Sequence, residues 1–279
     1  MTRIAYCPAT GLKERASLQD SNGKTILSEF MEQLAQAPSS MLLLDFDGTL
    51  APFQTERHRA YLYPRAVPLL QRILKRERSK AIIITGRPVV EMAPLLSPLR
   101  DIEIWGSHGL ERLSADGTYR RTAIAPETDA LLSRAISWLS EAGLASRTEI
   151  KPGGVAVHWR GMPDAEVERI QMLAQQGLSA FLERSELQLL EFEAGLELRV
   201  AHPNKGDAVT SILSDLDYGV QVAYLGDDRT DEDAFRVLNS RGLSVLVRTE
   251  YRKTNARIWL RPPGELIHFL EAWLSSVSA

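Results

Sequence analysis

The sequence predicts an α/β protein: a doubly wound parallel-sheet core carrying an inserted α+β cap. Three observations lead there. Short runs apolar at almost every position recur at both ends of the chain; stretches with helical spacing lie between them; and the middle switches to alternating polar and apolar residues. Strands apolar on both faces belong in a parallel sheet covered by helices, whereas alternation marks antiparallel strands with one polar face.

Taken in order, residues 1–24 are polar and aperiodic and read as a poorly ordered lead-in. KTILSEFMEQLAQA (24–37) spaces Ile26, Phe30 and Leu34 four apart and predicts an amphipathic helix. MLLLDF (41–46) predicts a buried strand, AVPLLQRILKRER (66–78) a helix, KAIIITG (80–86) a second strand, VVEMAPLL (89–96) a helix and IEIWGS (102–107) a third strand. Helical stretches near 127–142 and 164–184 then flank two hairpin patterns, 147–161 around Pro-Gly-Gly and 187–201 around Ala-Gly, whose polar faces are expected in solvent. QVAYLGDD (221–228) and LSVLVR (243–248) return to the buried-strand pattern. The expected organisation is a core from 25–113 and 201–279, with a cap inserted at 114–200.

Composition narrows the function. The 279 residues are 44% hydrophobic and 25% charged, and 33 basic against 36 acidic residues give a formal charge of −3 without a block of like charge. Neither nucleic acid nor a membrane is an expected partner, and no apolar run approaches the ~18 residues of a bilayer span. The first twenty residues lack the apolar stretch of a secretory signal, so a cytoplasmic location is expected. Cys7 is the single cysteine, which excludes an intramolecular disulfide and a cysteine-rich zinc site.

In open α/β sheets ligands sit beyond the carboxyl ends of the strands. Asp45 and Asp47 follow the first predicted strand, Thr85, Gly86 and Arg87 the second, Ser107 and His108 the third, and Asp227 and Asp228 the QVAYLG strand. Clustered carboxylates cannot all ionise without a counter-charge, and Mg2+ is a simple source of one. Lys205, in NKGDAV, opens a helical pattern and can share the site. Such a set suits phosphoryl transfer, where charge on the equatorial oxygens must be neutralised. Asp45 would attack phosphorus; Asp47 would protonate the leaving oxygen and later deprotonate water. Some residues read two ways: Arg87 as a helix-start ion pair or a substrate contact, Asp227 and Asp228 as ligands or helix caps, and Glu149 with Lys151 as a cross-strand salt bridge or a binding contact.

Together DFDGT, Thr85, Lys205 and GDDRTDEDAF resemble the haloacid-dehalogenase superfamily of aspartate-nucleophile phosphatases. Within it, ITGRP (84–88), GSHGLE (106–111), EIKPGGVAVHWR (149–160), GLELRVAHPNKGDAV (195–209) and YLGDDRTDEDAFRVL (224–238) are similar to the trehalose-6-phosphate phosphatase family. The resemblance spans about residues 40–274. It implies Mg2+-dependent hydrolysis of trehalose 6-phosphate, with Asp45 as nucleophile, Asp47 as acid/base, and Thr85 and Lys205 holding the phosphoryl group. It implies metal ligation by the Asp45 carboxylate, the Asp47 backbone carbonyl and Asp227, with Asp228 or Asp231 behind them. Glu149, Lys151, His158, Arg160 and Glu197 match positions where the family's cap meets the sugar. It also implies a functional link to trehalose-6-phosphate synthase. Gly154 stands where the family commonly has serine, and Trp159 where tyrosine is frequent. Sucrose phosphate, glucosylglycerol phosphate and mannosyl-phosphoglycerate therefore remain alternative substrates, and a catalytically silent sugar-phosphate-binding subunit an alternative of another class.

Overall fold

The apolar run ahead of the two aspartates is the centre of a large, mostly parallel sheet. The computed structural model describes residues 16–17, 21–54, 56–183, 186–192 and 194–278; Cys7 lies outside them. In chain order the elements are β1 (Ala16–Ser17), α1 (Ser21–Gln36), β2 (Ser40–Leu44), α2 (Ala66–Leu74), β3 (Ser79–Ile84), α3 (Val89–Leu95), β4 (Glu103–Gly106), β5 (Glu111–Leu113), β6 (Tyr119–Arg121) and α4 (Pro126–Glu141). There follow β7 (Thr148–Lys151), β8 (Gly154–His158), α5 (Asp164–Ser179), β9 (Leu187–Phe192), β10 (Gly195–Val200), α6 (Lys205–Ser214), β11 (Gln221–Gly226), α7 (Glu232–Leu238), β12 (Gly242–Val247), β13 (Ile258–Leu260) and α8 (Gly264–Ser276).

Among the described residues the large sheet has nine strands in the order β1-β13-β12-β11-β2-β3-β4-β5-β6. It is parallel from β1 to β4 and antiparallel from β4 to β6. All five residues of β2 are buried because both faces are covered. Leu42 and Leu44 pack with Phe30, Leu70, Phe269 and Trp273 on the side of α1, α2 and α8. Met41 and Leu43 pack with Val209, Ile212, Phe235 and Leu238 on the side of α6 and α7. Full burial of one such side chain is worth about 1.5–3 kcal/mol, which is why a run with no polar alternation is stable in a strand covered on both faces. Since β3 and β11 flank β2 and lead away in opposite directions, the strand order reverses beside Asp45, where a crevice opens.

A four-stranded antiparallel sheet, β7-β8-β10-β9, stands apart from the large one. Its apolar face (Val155, Val157, Leu196, Leu198) packs on Leu132 and Leu139 of α4 and Ile170 and Leu178 of α5. The polar face does not meet solvent as expected. Glu197 and Arg199 are buried, because this face lies over the carboxyl end of the large sheet.

The structure departs from the sequence reading at three further places. Helix α1 begins at Ser21 rather than 24, and Ala16–Ser17, inside the expected lead-in, pairs with Ile258–Trp259 as an edge strand. Within 114–200, Tyr119–Arg121 extends the large sheet: β5 and β6 form a hairpin across Asp116-Gly117, with Gly117 at φ +85°. That Asp-Gly pair is a hairpin signal, but three-residue flanking strands are too short to show a period.

Candidate active site

Asp45 leaves β2 with its side chain buried at the crevice floor. Lys205 Nζ donates to Asp45 Oδ1 at 2.6 Å and to Asp231 Oδ1 at 2.7 Å. The lysine arrives there because Asn204 and Asp207 form a reciprocal capping box, which starts α6 at Lys205 and makes it the first helical residue. Asp231 is saturated: Oδ1 also accepts from Tyr224 Oη at 2.6 Å, and Oδ2 accepts from the backbone amides of Asp227 and Asp228 at 3.0 and 2.9 Å. Thr49 Oγ1 donates to Asp45 Oδ2 at 3.3 Å.

Charge at the floor is unbalanced. Oxygens of Asp45, Asp227 and Asp231 lie within 4.8 Å of one another, and Lys205 bonds only two of these carboxylates. Burial pushes the Asp45 carboxyl up to about 7 despite Lys205, and burial followed by repulsion from Asp45 and Asp231 raises Asp227 well above the usual range. Burial acts on Asp231 too, but Lys205 and its hydrogen bonds hold that group low. Asp227 Oδ2 is buried and accepts no hydrogen bond, with Arg248 Nη1 3.8 Å away. An orphaned carboxylate oxygen beside a second carboxylate with a raised pKa is the donor set a hard divalent cation completes. Asp231, with every oxygen taken, braces the cluster.

Asp47 is gripped by Arg87, which donates from Nε to Oδ2 and from Nη2 to Oδ1, both at 2.6 Å. The ion pair of Arg87 is thus with Asp47 across the site rather than at the start of α3, and its Nη1 donates to the carbonyl of Arg57 at 2.8 Å. The Thr85–Arg87 and Ser107–His108 loops are stitched together: His108 N donates to Thr85 O at 2.9 Å and Ser107 N to Arg87 O at 2.8 Å. Ser107 and His108 hold φ +47° and +58°, a left-handed conformation costing roughly 1–2 kcal/mol per residue. Glu111 stabilises the turn by accepting from Ser107 Oγ at 2.6 Å, Val89 N at 3.2 Å and Tyr119 Oη at 2.8 Å. Gly86 is required by close approach, since a Cβ there would meet His108 Cε1 at 2.6 Å.

The roof is the polar face of the small sheet. Glu149, Ala156 and Glu197 share one cross-strand row, and Lys151, Gly154 and Arg199 the next; the small central residues leave room for the long ones. Lys151 Nζ donates to Glu197 Oε1 at 3.0 Å, and His108 Nε2 meets Glu197 Oε2 at 3.3 Å. Burial, then Arg199, lower His108 to about 3, so its imidazole is neutral and Nε2–H is the donor. Glu149 accepts from His158 Nε2 at 2.6 Å and pairs with Arg57. Burial, then Lys151, lower His158 to about 4. Arg160 lies over the Phe53 ring at 4.6 Å.

Floor and roof enclose a cavity of about 370 Å3, within the range of small-molecule sites. Asp45, Asp47, Thr85, Gly86, Arg87 and His108 line it from the large sheet, Lys205, Asp227 and Asp228 from its other side, and Lys151, His158, Arg160 and Glu197 from the roof. Ser107 and Glu149 stand behind the wall, their side chains engaged by Glu111 and by His158 with Arg57. Sequence reasoning missed Phe53, Gln54, Arg57 and Arg147, which also line the cavity; the first two lie in a loop and the arginines in 3-10 turns of three residues, all too short to show a period. Such a cavity, with a lysine-held carboxylate, a threonine hydroxyl and several cations, can bind a phosphate ester and present it to Asp45.

The sequence model of the trehalose-phosphatase family matches residues 43–261. Trehalose-phosphate phosphatase B of Arabidopsis thaliana is 28% identical over 262 residues, covering 85% of this chain and 67% of the relative. The trehalose-phosphate phosphatase of Mycobacterium bovis is 28% identical over 278 residues, covering 94% and 67%. In fold, the chain is similar to the C-terminal domain of Candida albicans trehalose-6-phosphate phosphatase, with a TM-score of 0.80, 17% identity and coverage of 94% of this chain and 98% of that one. A haloacid dehalogenase-like hydrolase from B. subtilis also matches, with a TM-score of 0.61, 13% identity and coverage of 83% and 99%.

Proposed function

The chain belongs to the trehalose-phosphatase family of phosphoric monoester hydrolases, and from that premise we propose that it hydrolyses trehalose 6-phosphate through an aspartyl-phosphate on Asp45, with Mg2+ as cofactor. The observation that carries the reading is the Asp45–Lys205–Asp231 chain beneath a cavity of about 370 Å3 lined by Arg87, Lys151, Arg160 and Glu197.

The phosphoryl group would be held by the Thr85 hydroxyl and Lys205, which stand on either side of Asp45 on the cavity wall. The carboxylate of Asp45 would attack phosphorus as the phosphorus–oxygen bond to the sugar breaks. Asp47 would give the departing oxygen its proton, then take one from the water that cleaves the acyl phosphate. In the observed state Arg87 holds Asp47 with both oxygens engaged. A substrate phosphate that draws on Arg87 would free the carboxyl for proton transfer. Asp45, the Asp47 carbonyl and Asp227 would hold Mg2+, with Asp228 outside them. When bound, the cation supplies the charge that offsets the clustered carboxylates and the phosphate.

We also propose that the small-sheet module, with α4 and α5, acts as a cap whose Lys151, His158, Arg160 and Glu197 meet the sugar hydroxyls, and whose closure excludes water. The full side-chain set at Asp45, Asp47, Lys205 and Asp227 favours an enzyme over a silent binding subunit. Phosphate release from a panel of trehalose 6-phosphate, sucrose phosphate, glucosylglycerol phosphate and mannosyl-phosphoglycerate, with and without EDTA, tests the reading. Trehalose 6-phosphate should be preferred, EDTA should abolish turnover, and Asp45→Asn should lose at least about a thousandfold in kcat while keeping the fold. Preference for another sugar phosphate would overturn the substrate; no turnover of any, with binding retained, would overturn the enzymatic reading.

A further inference from the structure

The backbone at Asp227 and Asp228 is held from two sides. On the inner side Asp231 Oδ2 accepts both backbone amides. On the outer side, Arg252, from the loop between β12 and β13, donates from Nε to the Asp227 carbonyl at 3.2 Å and from Nη2 to the Asp228 carbonyl at 2.6 Å. Its Nη1 donates to the Lys253 carbonyl at 3.0 Å and pairs with Glu232 at the start of α7. Glu232 in turn accepts from Thr254 Oγ1 at 2.7 Å, Asn255 N at 2.7 Å and Asn255 Nδ2 at 2.9 Å. The guanidinium is thus fixed to a loop that is itself fixed to α7, and its charge is paired with Glu232. Arg248, at the start of the same loop, approaches Asp227 Oδ2 to 3.8 Å.

We propose that Arg252 is a positioning residue for cation binding: by holding the Asp227 and Asp228 carbonyls against the amide grip of Asp231, it sets the direction of the Asp227 carboxylate. The inference rests on the reading of Asp227 as a cation ligand. The peptide unit joining Asp227 to Asp228 is held on both edges and the units before and after it on one edge each, so the backbone at Asp227 is restrained and its side chain leaves at one angle. Its Oδ2 finds no hydrogen-bond donor, and the carboxylate stays within the cluster it forms with Asp45 and Asp231. A lysine at position 252 would carry the charge but could not span two carbonyls and a carboxylate at once, because its donors radiate from one nitrogen.

The test is Mg2+ titration of the EDTA-stripped full chain, read as the rise in Tm, for the parent, Arg252→Met, Arg252→Lys and Asp227→Asn. Arg252→Met should weaken apparent Mg2+ affinity by about tenfold, as loss of a partner orienting a metal ligand does. KM for the sugar phosphate at saturating Mg2+ should stay close to the parent's, and Arg252→Lys should restore only part of the affinity. A general structural role would instead lower Tm in EDTA and leave the Mg2+ midpoint in place. If Asp227→Asn loses Mg2+ binding while Arg252→Met binds as the parent does, Arg252 has no positioning role and the cation reading stands. If the parent shows no Mg2+-dependent Tm, or Asp227→Asn leaves it unchanged, the cation reading fails and this inference with it. Should Arg252→Met not fold, Arg252→Lys decides: affinity equal to the parent's overturns the proposal.

Discussion

Asp45 and Asp227 are carboxyls that burial makes reluctant to ionise, and at Asp45 the push is to about 7. The sign of the linkage follows. A carboxyl whose folded pKa is raised above its unfolded value favours the folded state at low pH, and that contribution is lost as pH rises from about 4 through about 7. A cation competes with those protons, so the gain in Tm on adding saturating Mg2+ should be larger at about pH 8 than at about pH 6. His108 and His158 are lowered to about 3 and about 4 and act in the opposite sense, removing stability as pH falls below about 6.5. Comparing Tm with and without Mg2+ at each pH cancels their contribution. An equal gain at both pH values would show that the cation does not contact these carboxyls. The sequence identified Asp45 and Asp227 because each follows an unbroken apolar strand. It left open whether Asp228 or Asp231 stands behind them, since only folding brings Tyr224 Oη and two amides onto the oxygens of Asp231.

Two arginines illustrate what binds elements together. Arg78, just ahead of β3, donates from Nε to Val277 O at 3.2 Å and from Nη2 to Ser276 O at 2.7 Å, and its guanidinium also reaches Ala35 O and Ala37 O at 3.3 Å. It thereby satisfies carbonyls left open at the ends of α1 and α8, where a positive charge also suits the helix dipoles. Arg78→Met should cost about 2 kcal/mol of stability, read by urea unfolding, with KM unchanged because the site lies at the opposite end of the strands. Arg87 plays the corresponding part at the carboxyl end, tying Asp47 to the carbonyl of Arg57. Neither role is legible in sequence. An arginine's partners here are carbonyls and carboxylates tens of residues away, and no local spacing encodes them. Strands β2, β3, β11 and β12, by contrast, declare themselves through uniform apolarity, whereas β5, β6 and β13 are too short to carry a pattern.

At the scale of the whole molecule, the large sheet presents its strand ends to the polar face of the small one, and the pairs joining them are Glu197 with His108, Glu149 with Arg57, Arg160 with Phe53 and Arg229 with Glu191. Arg229 and Glu191 are both largely exposed, so that pair contributes under about 1 kcal/mol. If the small-sheet module moves as a cap, these contacts open and close with it. Lys151, buried against Glu197, belongs to the proposed sugar side and not to the reacting centre. Lys151→Met should therefore raise KM about tenfold with kcat changed less than about threefold. A fall in kcat at unchanged KM would place Lys151 with the chemistry instead.

By itself the sequence determined the layering and the floor of the site. Uniform apolar runs can be stable only as doubly covered strands, and polar residues directly after them must emerge at the carboxyl edge, so Asp45, Asp47, Thr85 and Asp227 were identifiable from position and residue type, and Lys205 from its place at the start of a helical pattern. Tertiary structure decided which of the remaining groups touch. It turned the polar face of the small sheet, expected in solvent, into a buried roof, placed Ser107 and Glu149 behind the wall, and recruited Arg57, Arg252 and Glu111 to hold loops in place. The physical reason is range. Burial preference is a property of each residue and repeats with the local period, whereas a hydrogen bond or ion pair depends on where two distant segments meet, which is known only once the chain has folded.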